Sequence, residues 1–335
     1  MKFSFQEKQK EPFVTQPIPT LEDITTARKN VYQHLKPTPL YHYAGLSDLI
    51  GANVWIKHEN HQPVGAFKVR GGLNLAANLT SEEKSNGLFT ASTGNHGQSI
   101  AYAAKAYGIK ATIAVPESAN PGKVAAMRGL GAEVLFHGAD FDEAREWMMQ
   151  VSEEKGGKFV SPTDEHLIHG VGTYALEILE ELPTVDTIIV PVGAGSGVCG
   201  TGIVAKAINK DIDVIAVQSA QAPAMKLSWE SGKMIKAQMN TIAEGVATRV
   251  PFENTQRIMR EVVDDFLLVS DDSIQSAVIT LLKHTHNLAE EAAAAPLAAA
   301  LQIKEKLNNK NVVLVMSGGN ISLPNLKNAL KIRTE

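Results

Sequence analysis

A parallel α/β fold is indicated by the stretch Thr187-Ile188-Ile189-Val190-Pro191-Val192, which is followed directly by Gly193-Ala194-Gly195-Ser196-Gly197-Val198-Cys199-Gly200. The first part is an apolar run with the length of a buried strand, and a helical pattern follows the second part from residue 202 to 209. Because small residues let backbone N–H groups approach a ligand closely, the loop between strand and helix is suited to a phosphate. The stretch therefore predicts a strand, an anion-binding loop and a helix in succession.

Strand-like and helical runs alternate along much of the chain. Helical patterns such as 122–130 and 141–154 separate strand candidates at 112–115, 133–136, 187–192, 214–217 and 312–316. Strict alternation predicts parallel sheets joined by right-handed crossovers. With 335 residues and a hydrophobic content of 44%, the chain is long enough for a large core and two domains.

The glycine-rich loop also matches the GxGxxG pattern of dinucleotide-binding proteins when it is read from Gly195. That interpretation requires an acidic residue about 20 positions later, at the end of the next strand, to bind the ribose. The next strand candidate ends in Gln218. A monophosphate is therefore a better ligand for the loop than NAD, and a nucleotide-binding protein or NAD-binding oxidoreductase is the remote alternative.

Lys68 lies between small residues in the run Gly65-Ala66-Phe67-Lys68-Val69-Arg70-Gly71-Gly72. Partial desolvation in such surroundings would lower the pKa of its amine and make it a nucleophile. Lysine amines form Schiff bases with carbonyl compounds, and the commonest biological use of this chemistry is to hold pyridoxal phosphate (PLP). A solvated surface lysine is the ordinary alternative.

Two further motifs follow strand-like runs. Ser92-Thr93-Gly94-Asn95-His96-Gly97 precedes a helical pattern, and free N–H groups at a helix start can bind a carboxylate or a phosphate. Met316-Ser317-Gly318-Gly319-Asn320 closes the last strand candidate. The hydroxyl of Ser317 could hydrogen-bond a neutral pyridine nitrogen without protonating it. Taken singly, each motif could also be a tight turn or a helix cap.

In this order, the motifs GAFKVRGG, STGNHG, GAGSG and SGGN resemble the fold type II PLP enzymes, and within them the threonine/serine dehydratase and serine racemase branch. Matches at 36–40, 57–62 and 244–247 extend the resemblance over nearly the whole chain. It implies an α/β fold like that of tryptophan synthase β, with two parallel-sheet domains and PLP in the cleft between them. Residues 88–164 would form the small domain, and residues 1–87 and 165–335 the large one.

The resemblance also implies a role for each matching residue. Lys68 would form the Schiff base and remove the α-proton, Asn95 would face the phenolic oxygen of PLP and Ser317 its pyridine nitrogen. The cofactor would contact Phe67, Lys68, Asn95, Gly193, Ala194, Gly195, Ser196, Gly197, Glu290 and Ser317. The substrate carboxylate would contact Ser92, Thr93, Gly94, Asn95 and His96.

Two stretches of the sequence depart from the family pattern. The phosphate loop usually has four consecutive glycines, and Ala194 and Ser196 interrupt them here, although small residues keep the backbone approachable. Glu290 falls where the family has a glutamate near the pyridine ring, but an Ala-rich sequence surrounds it. A solvated charge on a helix is an equally good interpretation of Glu290.

The implied reaction is dehydration of a β-hydroxy amino acid to a 2-keto acid and ammonia. A pyridine nitrogen that Ser317 leaves unprotonated makes a shallow electron sink, which favours rapid loss of a β-hydroxide. Racemisation of serine is the alternative within the family, and it needs an acid on the opposite face, where Thr93 would act in place of the racemase serine. Threonine, serine, 3-hydroxyaspartate, phenylserine and a hydroxyectoine-pathway amino acid all fit this chemistry.

Composition and the remaining residues predict few other partners. A net charge of −4 with dispersed cations predicts no nucleic acid. Residues 1–8 lack a long apolar core, and no run reaches about 18 apolar residues, so a cytoplasmic protein without a membrane segment is expected.

Gln218 and Ala224 replace the acidic residues of the racemase cation site, which predicts no metal. The family suggests a homodimer, and the short segment after SGGN predicts no regulatory domain.

Overall fold

The computed structural model describes residues 17–331, in which ten strands alternate with helices. The strands are β1 (Leu40–His42), β2 (Asn53–His58), β3 (Leu88–Ala91), β4 (Ala111–Val115), β5 (Glu133–Phe136), β6 (Lys158–Phe159), β7 (Thr187–Pro191), β8 (Asp213–Ser219), β9 (Asp265–Val269) and β10 (Asn311–Met316). The α-helices are α1 (Leu21–Val31), α2 (Ala44–Ile50), α3 (Lys68–Ala77), α4 (Ser81–Asn86), α5 (Asn95–Ala106), α6 (Pro121–Gly129), α7 (Phe141–Glu154), α8 (Glu165–Glu181), α9 (Ser196–Ile208), α10 (Ala224–Ser231), α11 (Glu253–Val262), α12 (Asp271–Thr285), α13 (Glu291–Gln302), α14 (Lys304–Leu307) and α15 (Leu323–Ala329). Short 3-10 helices cover Glu59–His61 and Glu244–Val246.

The strands form two sheets. The larger has the order β1-β2-β10-β7-β8-β9, and the smaller has the order β5-β4-β3-β6. Every pairing is parallel except that of β1 with β2. The strands of the smaller sheet all lie inside the predicted small domain, 88–164, but the domain boundaries themselves stay a prediction. Residues 1–16, including the N-terminal segment judged to lack an apolar core, and 332–335 lie outside the described residues.

Both faces of the larger sheet are buried. On β10, Val313 and Val315 pack in the core formed with α8 and α9, whereas Val312 and Leu314 pack in the core formed with α12 and α13. Side chains alternate between the faces of a strand, so a strand covered on both sides is apolar throughout. This explains why the sequence shows continuous apolar runs, and it confirms the α/β class with parallel-strand sheets.

The predicted strands agree with the structure to within two residues at each end, but several elements differ. The helix predicted to begin at Gly202 begins at Ser196, because its first turns contain glycines that lower helix propensity in the sequence. A Cβ at Gly200 would lie 2.8 Å from Cα of Gly172, so close packing of α9 against α8 requires glycine there. Three strands, β1, β6 and β9, were not predicted from the sequence; β1 and β6 are only three and two residues long, too short to show a period.

No helix within residues 17–331 combines the length and the apolar character that crossing a bilayer requires.

Candidate active site

A cavity of about 390 Å³ lies beside the carboxyl ends of β3, β7 and β10. Loops that follow strands of both sheets line it, as is usual for ligand sites in parallel α/β folds. Its wall contains every residue predicted for the cofactor and the substrate, namely Phe67, Lys68, Ser92, Thr93, Gly94, Asn95, His96, Gly193, Ala194, Gly195, Ser196, Gly197, Glu290 and Ser317. Motifs that are far apart in the sequence therefore form one site.

Backbone pairing places the lysine segment against the end of the last strand. The N–H of Phe67 donates to the carbonyl oxygen of Ser317 at 3.0 Å, and Ala66 forms an isolated antiparallel bridge with Gly318. Lys68 then begins α3. Ser317 is 4% exposed and lines the cavity, so its side chain lies in the same wall as the lysine.

The amine of Lys68 is desolvated. Burial lowers its pKa to about 8, with an opposing electrostatic contribution from Cys199. Nζ donates a hydrogen bond to Oγ of Ser196 at 2.7 Å and lies 5.3 Å from the centroid of the Phe67 ring. A lysine with a pKa near neutrality has a substantial fraction of uncharged, nucleophilic amine, as the sequence analysis expected.

The glycine-rich loop has the shape of an anion cradle. Gly195 has φ +100° and caps the N-terminus of α9, whose positive dipole end faces the loop. A Cβ at Gly193 would lie 2.2 Å from the carbonyl oxygen of Gly245, and a Cβ at Gly195 would lie 2.9 Å from Cβ of Thr255. The backbone therefore requires glycine at both positions, and the loop fits a phosphate group without obstruction from side chains.

In the loop after β3, the side chain of Ser92 hydrogen-bonds the backbone of the following turn. Oγ of Ser92 accepts hydrogen bonds from the N–H groups of Gly94 at 3.2 Å and Gly97 at 2.9 Å. No described atom lies within 4 Å of the position that a Cβ on Gly94 would take. The turn thus presents free space and the start of α5 to the cavity, which suits a carboxylate.

His96 lines the cavity but directs one ring nitrogen into the protein. Its Nε2 lies 3.0 Å from Oγ1 of Thr90 and 3.3 Å from the carbonyl oxygen of Val160. Burial lowers the pKa of the imidazole to about 3, so the ring is neutral. Among the described residues, Nδ1 has no hydrogen-bond partner. A predicted contact of His96 with the substrate therefore depends on Nδ1 or on the backbone.

Glu290 is not a solvated charge on a helix, so that interpretation is wrong. Its half-buried side chain accepts a hydrogen bond from Nδ2 of Asn95 at 2.7 Å, and a Cβ on Gly318 would lie 2.5 Å from its Oε1. Burial raises the pKa of this carboxyl to about 7, although the Asn95 contact opposes the rise. Oδ1 of Asn95 in turn accepts from Nδ2 of Asn320 at 2.8 Å. Asn320 belongs to the SGGN motif but was not predicted as a site residue.

Four charged side chains, which we call the buried ion network, lie beneath α3. They are Lys57, Glu59, Arg70 and Glu177, and none is more than 5% exposed. Arg70 donates to Glu59 at 2.7 and 2.9 Å and to Glu177 at 2.6 and 2.9 Å, and Lys57 donates to Glu177 at 2.6 Å. Because Arg70 follows Lys68 by two residues, the network fixes the helix that carries the lysine.

Three ion pairs join separate segments of the cavity wall. Lys123 on α6 pairs with Glu244, and Nη1 of Arg249 lies 3.3 Å from Asp140 and 3.4 Å from Asp142. All five side chains line the cavity. These pairs could not be predicted from the sequence, since isolated charges on separate segments carry no periodic signal; Glu244 stands out there only as part of the motif match at 244–247.

Gln218 and Ala224 stand at the positions of the racemase cation site, and both make contacts inside the protein. Nε2 of Gln218 donates to the carbonyl oxygen of Val246 at 3.3 Å, and its Oε1 accepts from the N–H of Lys226 at 3.4 Å. Ala224 is buried at the start of α10. In the described range 17–331, no group of three or more His, Cys, Asp and Glu side chains could hold a metal ion.

Known proteins resemble the chain over most of its length. It is 38% identical over 306 residues to the L-threonine ammonia-lyase of Thermotoga maritima, which covers 91% of this chain and 76% of that protein. The processed form of threonine deaminase isoform 2 from Solanum lycopersicum superimposes with a TM-score of 0.88 at 32% identity, covering 96% of each chain. Serine racemase from Dictyostelium discoideum gives a TM-score of 0.86 at 35% identity, covering 92% of this chain and all of that one.

Residues 31–318 also match the family described as pyridoxal-phosphate dependent enzyme. The desolvated lysine and the unobstructed anion cradle are what such a cofactor requires, an amine for its aldehyde and N–H groups for its phosphate. From the family match and the relatives together, the chain belongs to the pyridoxal-phosphate dependent enzymes of fold type II, with PLP as its cofactor.

Proposed function

We propose that the protein catalyses the dehydration of a β-hydroxy amino acid such as threonine or serine, which yields a 2-keto acid and ammonia. One observation carries the proposal: the Lys68 amine, the glycine-rich anion cradle and the Ser317 hydroxyl line the same cavity. The relatives named threonine ammonia-lyase and threonine deaminase support this substrate class. The alternative of an NAD-binding oxidoreductase is wrong, because the chain belongs to a PLP-dependent family.

Each residue then has a defined task. Lys68 would bind the cofactor aldehyde and, once released by the substrate amine, hold the proton taken from the α-carbon. The loop from Gly193 to Gly197 would hold the phosphate, and the turn from Ser92 to His96 the substrate carboxylate. When bound, PLP supplies the electron sink for the α-carbanion.

The residues around the pyridine ring favour elimination. Ser317 would offer a hydroxyl rather than a carboxylate to the ring nitrogen, so it would not hold that nitrogen protonated. Asn95 would face the phenolic oxygen, and Glu290 fixes the amide of Asn95 through a 2.7 Å hydrogen bond. A weaker electron sink favours prompt loss of a β-hydroxide over reactions that need a long-lived carbanion.

We also propose the two-domain division at residues 88 and 164, with PLP in the cleft, and a homodimer as the assembly. The arrangement of the four-stranded sheet within 88–159 supports the division. The family resemblance supports the homodimer. The cytoplasmic location stays a prediction from the sequence.

A panel of β-hydroxy amino acids tests the proposal. The PLP-loaded enzyme is incubated with threonine, serine, 3-hydroxyaspartate, phenylserine and the hydroxyectoine-pathway amino acid, and keto acid and ammonia are measured. We expect equimolar keto acid and ammonia from at least one of them. Release of neither product from any member of the panel would contradict the proposed reaction.

Serine racemisation is the second candidate, and the likeness to a serine racemase structure favours it. Thr93 lines the cavity within the turn after β3, but its β-branch restricts χ1 and adds a methyl group. We expect wild type to make keto acid with little inversion. Thr93→Ser should raise the ratio of racemisation to elimination, and Thr93→Ala should leave elimination mostly intact, as measured by chiral chromatography of serine beside keto-acid release.

A two-base racemase would give a different result in the same assay. One positioned acid or base contributes about 10²–10⁴-fold to a proton transfer. Fast inversion by wild type that falls by such a factor in Thr93→Ala would show that the protein is a two-base racemase.

A further prediction concerns the ion pair of Lys123 and Glu244 in the cavity wall. Glu244→Lys places a like charge beside Lys123, which should push these two segments of the cavity wall apart and raise KM by about two- to fivefold, since exposed pairs contribute about 0.2–1 kcal/mol. The double variant Lys123→Glu/Glu244→Lys should restore KM, and 1 M salt should reduce the difference. An unchanged KM in the single variant at low salt would show that the pair does not contribute to substrate binding.

A further inference from the structure

Ser196 connects the phosphate loop with the lysine. It is the first residue of α9 and is 1% exposed. Its Oγ accepts a hydrogen bond from Nζ of Lys68 at 2.7 Å. The resemblance described above gives the family a glycine at this position of the loop, so a hydroxyl here is a feature of this chain.

The other groups that face the amine leave it without a charged partner. Cys199 on α9 is a buried thiol whose pKa burial raises, and His96 on α5 is a neutral imidazole whose pKa burial lowers to about 3. The ring of Phe67 covers one side, and Glu290 lines the same cavity without an ion pair to Lys68. Within residues 17–331, Ser196 is the one hydrogen-bond acceptor that the Lys68 amine has.

We propose that Ser196 is a positioning residue, which holds the Lys68 amine whenever that amine is free and stabilises its protonated form. A hydroxyl that accepts from an ammonium group offsets part of the cost of burying the charge. Its own hydrogen stays available to the anion in the loop, so Ser196 can contact both groups at once. The proposal rests on the role of Lys68 in the proposed function.

The test uses the cofactor-free protein and measures the pKa of Lys68 directly. Trace acetylation with acetic anhydride is carried out across a pH series, and the modified Lys68 peptide is quantified by mass spectrometry against the exposed Lys36. In Ser196→Ala, the pKa of Lys68 should fall by about one unit, because the buried ammonium loses its acceptor. Thr201→Val is the matched control, since it removes a buried hydroxyl from the same helix α9 without touching the Lys68 amine, and it should keep the wild-type pKa of Lys68.

The loaded enzyme gives a second readout. The acid limb of kcat against pH, which reports the complex in which the substrate has released the Lys68 amine, should move to lower pH in Ser196→Ala and stay in place in Thr201→Val. Equal Lys68 pKa values in wild type and Ser196→Ala would overturn the proposal. If another lysine held the cofactor, the acetylation shift at Lys68 would still appear, but the pH profile would stay unchanged. Failure of the proposed function can therefore be distinguished from failure of the role proposed for Ser196.

Discussion

Replacing Lys68 with alanine should abolish turnover and covalent attachment of the cofactor together. The variant loses the amine that binds the aldehyde and the base that removes the α-proton. Loss of the base alone should lower kcat by about 10²–10⁴-fold, and loss of the linkage should add to this. Keto-acid release and the absorbance of the lysine-bound cofactor measure the two effects separately.

Lys123→Ala is the matched control, because Lys123 lines the same cavity but its amine pairs with Glu244. It should keep the lysine-bound absorbance and most of kcat. Circular dichroism should show the wild-type fold in both variants, since Lys68 makes one side-chain hydrogen bond, to Ser196, among the described residues. Keto-acid production by Lys68→Ala near the wild-type rate would contradict the assignment of this lysine.

Arg70→Met should cause the largest loss of stability. Arg70 is fully buried and donates to both Glu59 and Glu177, so its removal leaves two buried carboxylates facing each other with Lys57 as the one cation of the network. Breaking a buried ion network by removing one partner costs about 3–5 kcal/mol. The free energy of unfolding from urea titration measures this loss.

Arg28→Met provides the comparison, since Arg28 also pairs with a glutamate, Glu180, but both side chains are partly exposed. That variant should lose less than about 1 kcal/mol. A similar, small loss in Arg70→Met and Arg28→Met would show that the buried ion network contributes no more than a surface pair.

The same network predicts a dependence of stability on pH. Burial alone would raise the pKa of Glu177, but Arg70 and Lys57 together hold it below the ordinary value of 4.5. A carboxyl with a lowered pKa in the folded state contributes stability above pH 4.5 that is lost as the pH falls below it. We therefore expect the free energy of unfolding of the wild type to fall as the pH drops below 4.5. The fall that Glu177 causes should be smaller in Arg70→Met.

The sequence was sufficient to predict the parts of the site that depend on local chemistry. A strand buried on both faces appears in the sequence as an apolar run. A loop that lets the backbone approach a ligand closely requires glycine. Strand β7 and the loop after it could therefore be predicted, although the start of the following helix could not. Lys68 stood out because small residues surround it. The cavity brings all of these residues together.

Contacts between distant segments could not be predicted in this way. Glu177 lies in the middle of α8 without any motif, yet it completes the buried ion network. Glu290 was ambiguous, because the Ala-rich sequence after it fits both a surface helix and the fully packed α13 that the structure contains. Its role depends on Asn95, almost two hundred positions earlier, which no local pattern reveals.

Locating the lysine that carries the cofactor tests the account most directly. The PLP-loaded wild type is reduced with borohydride, which makes the link between lysine and cofactor permanent, then digested and analysed by mass spectrometry. We predict that the pyridoxyl group is found on the peptide that contains Lys68. A pyridoxyl group on another lysine, or on none, would contradict the central claim.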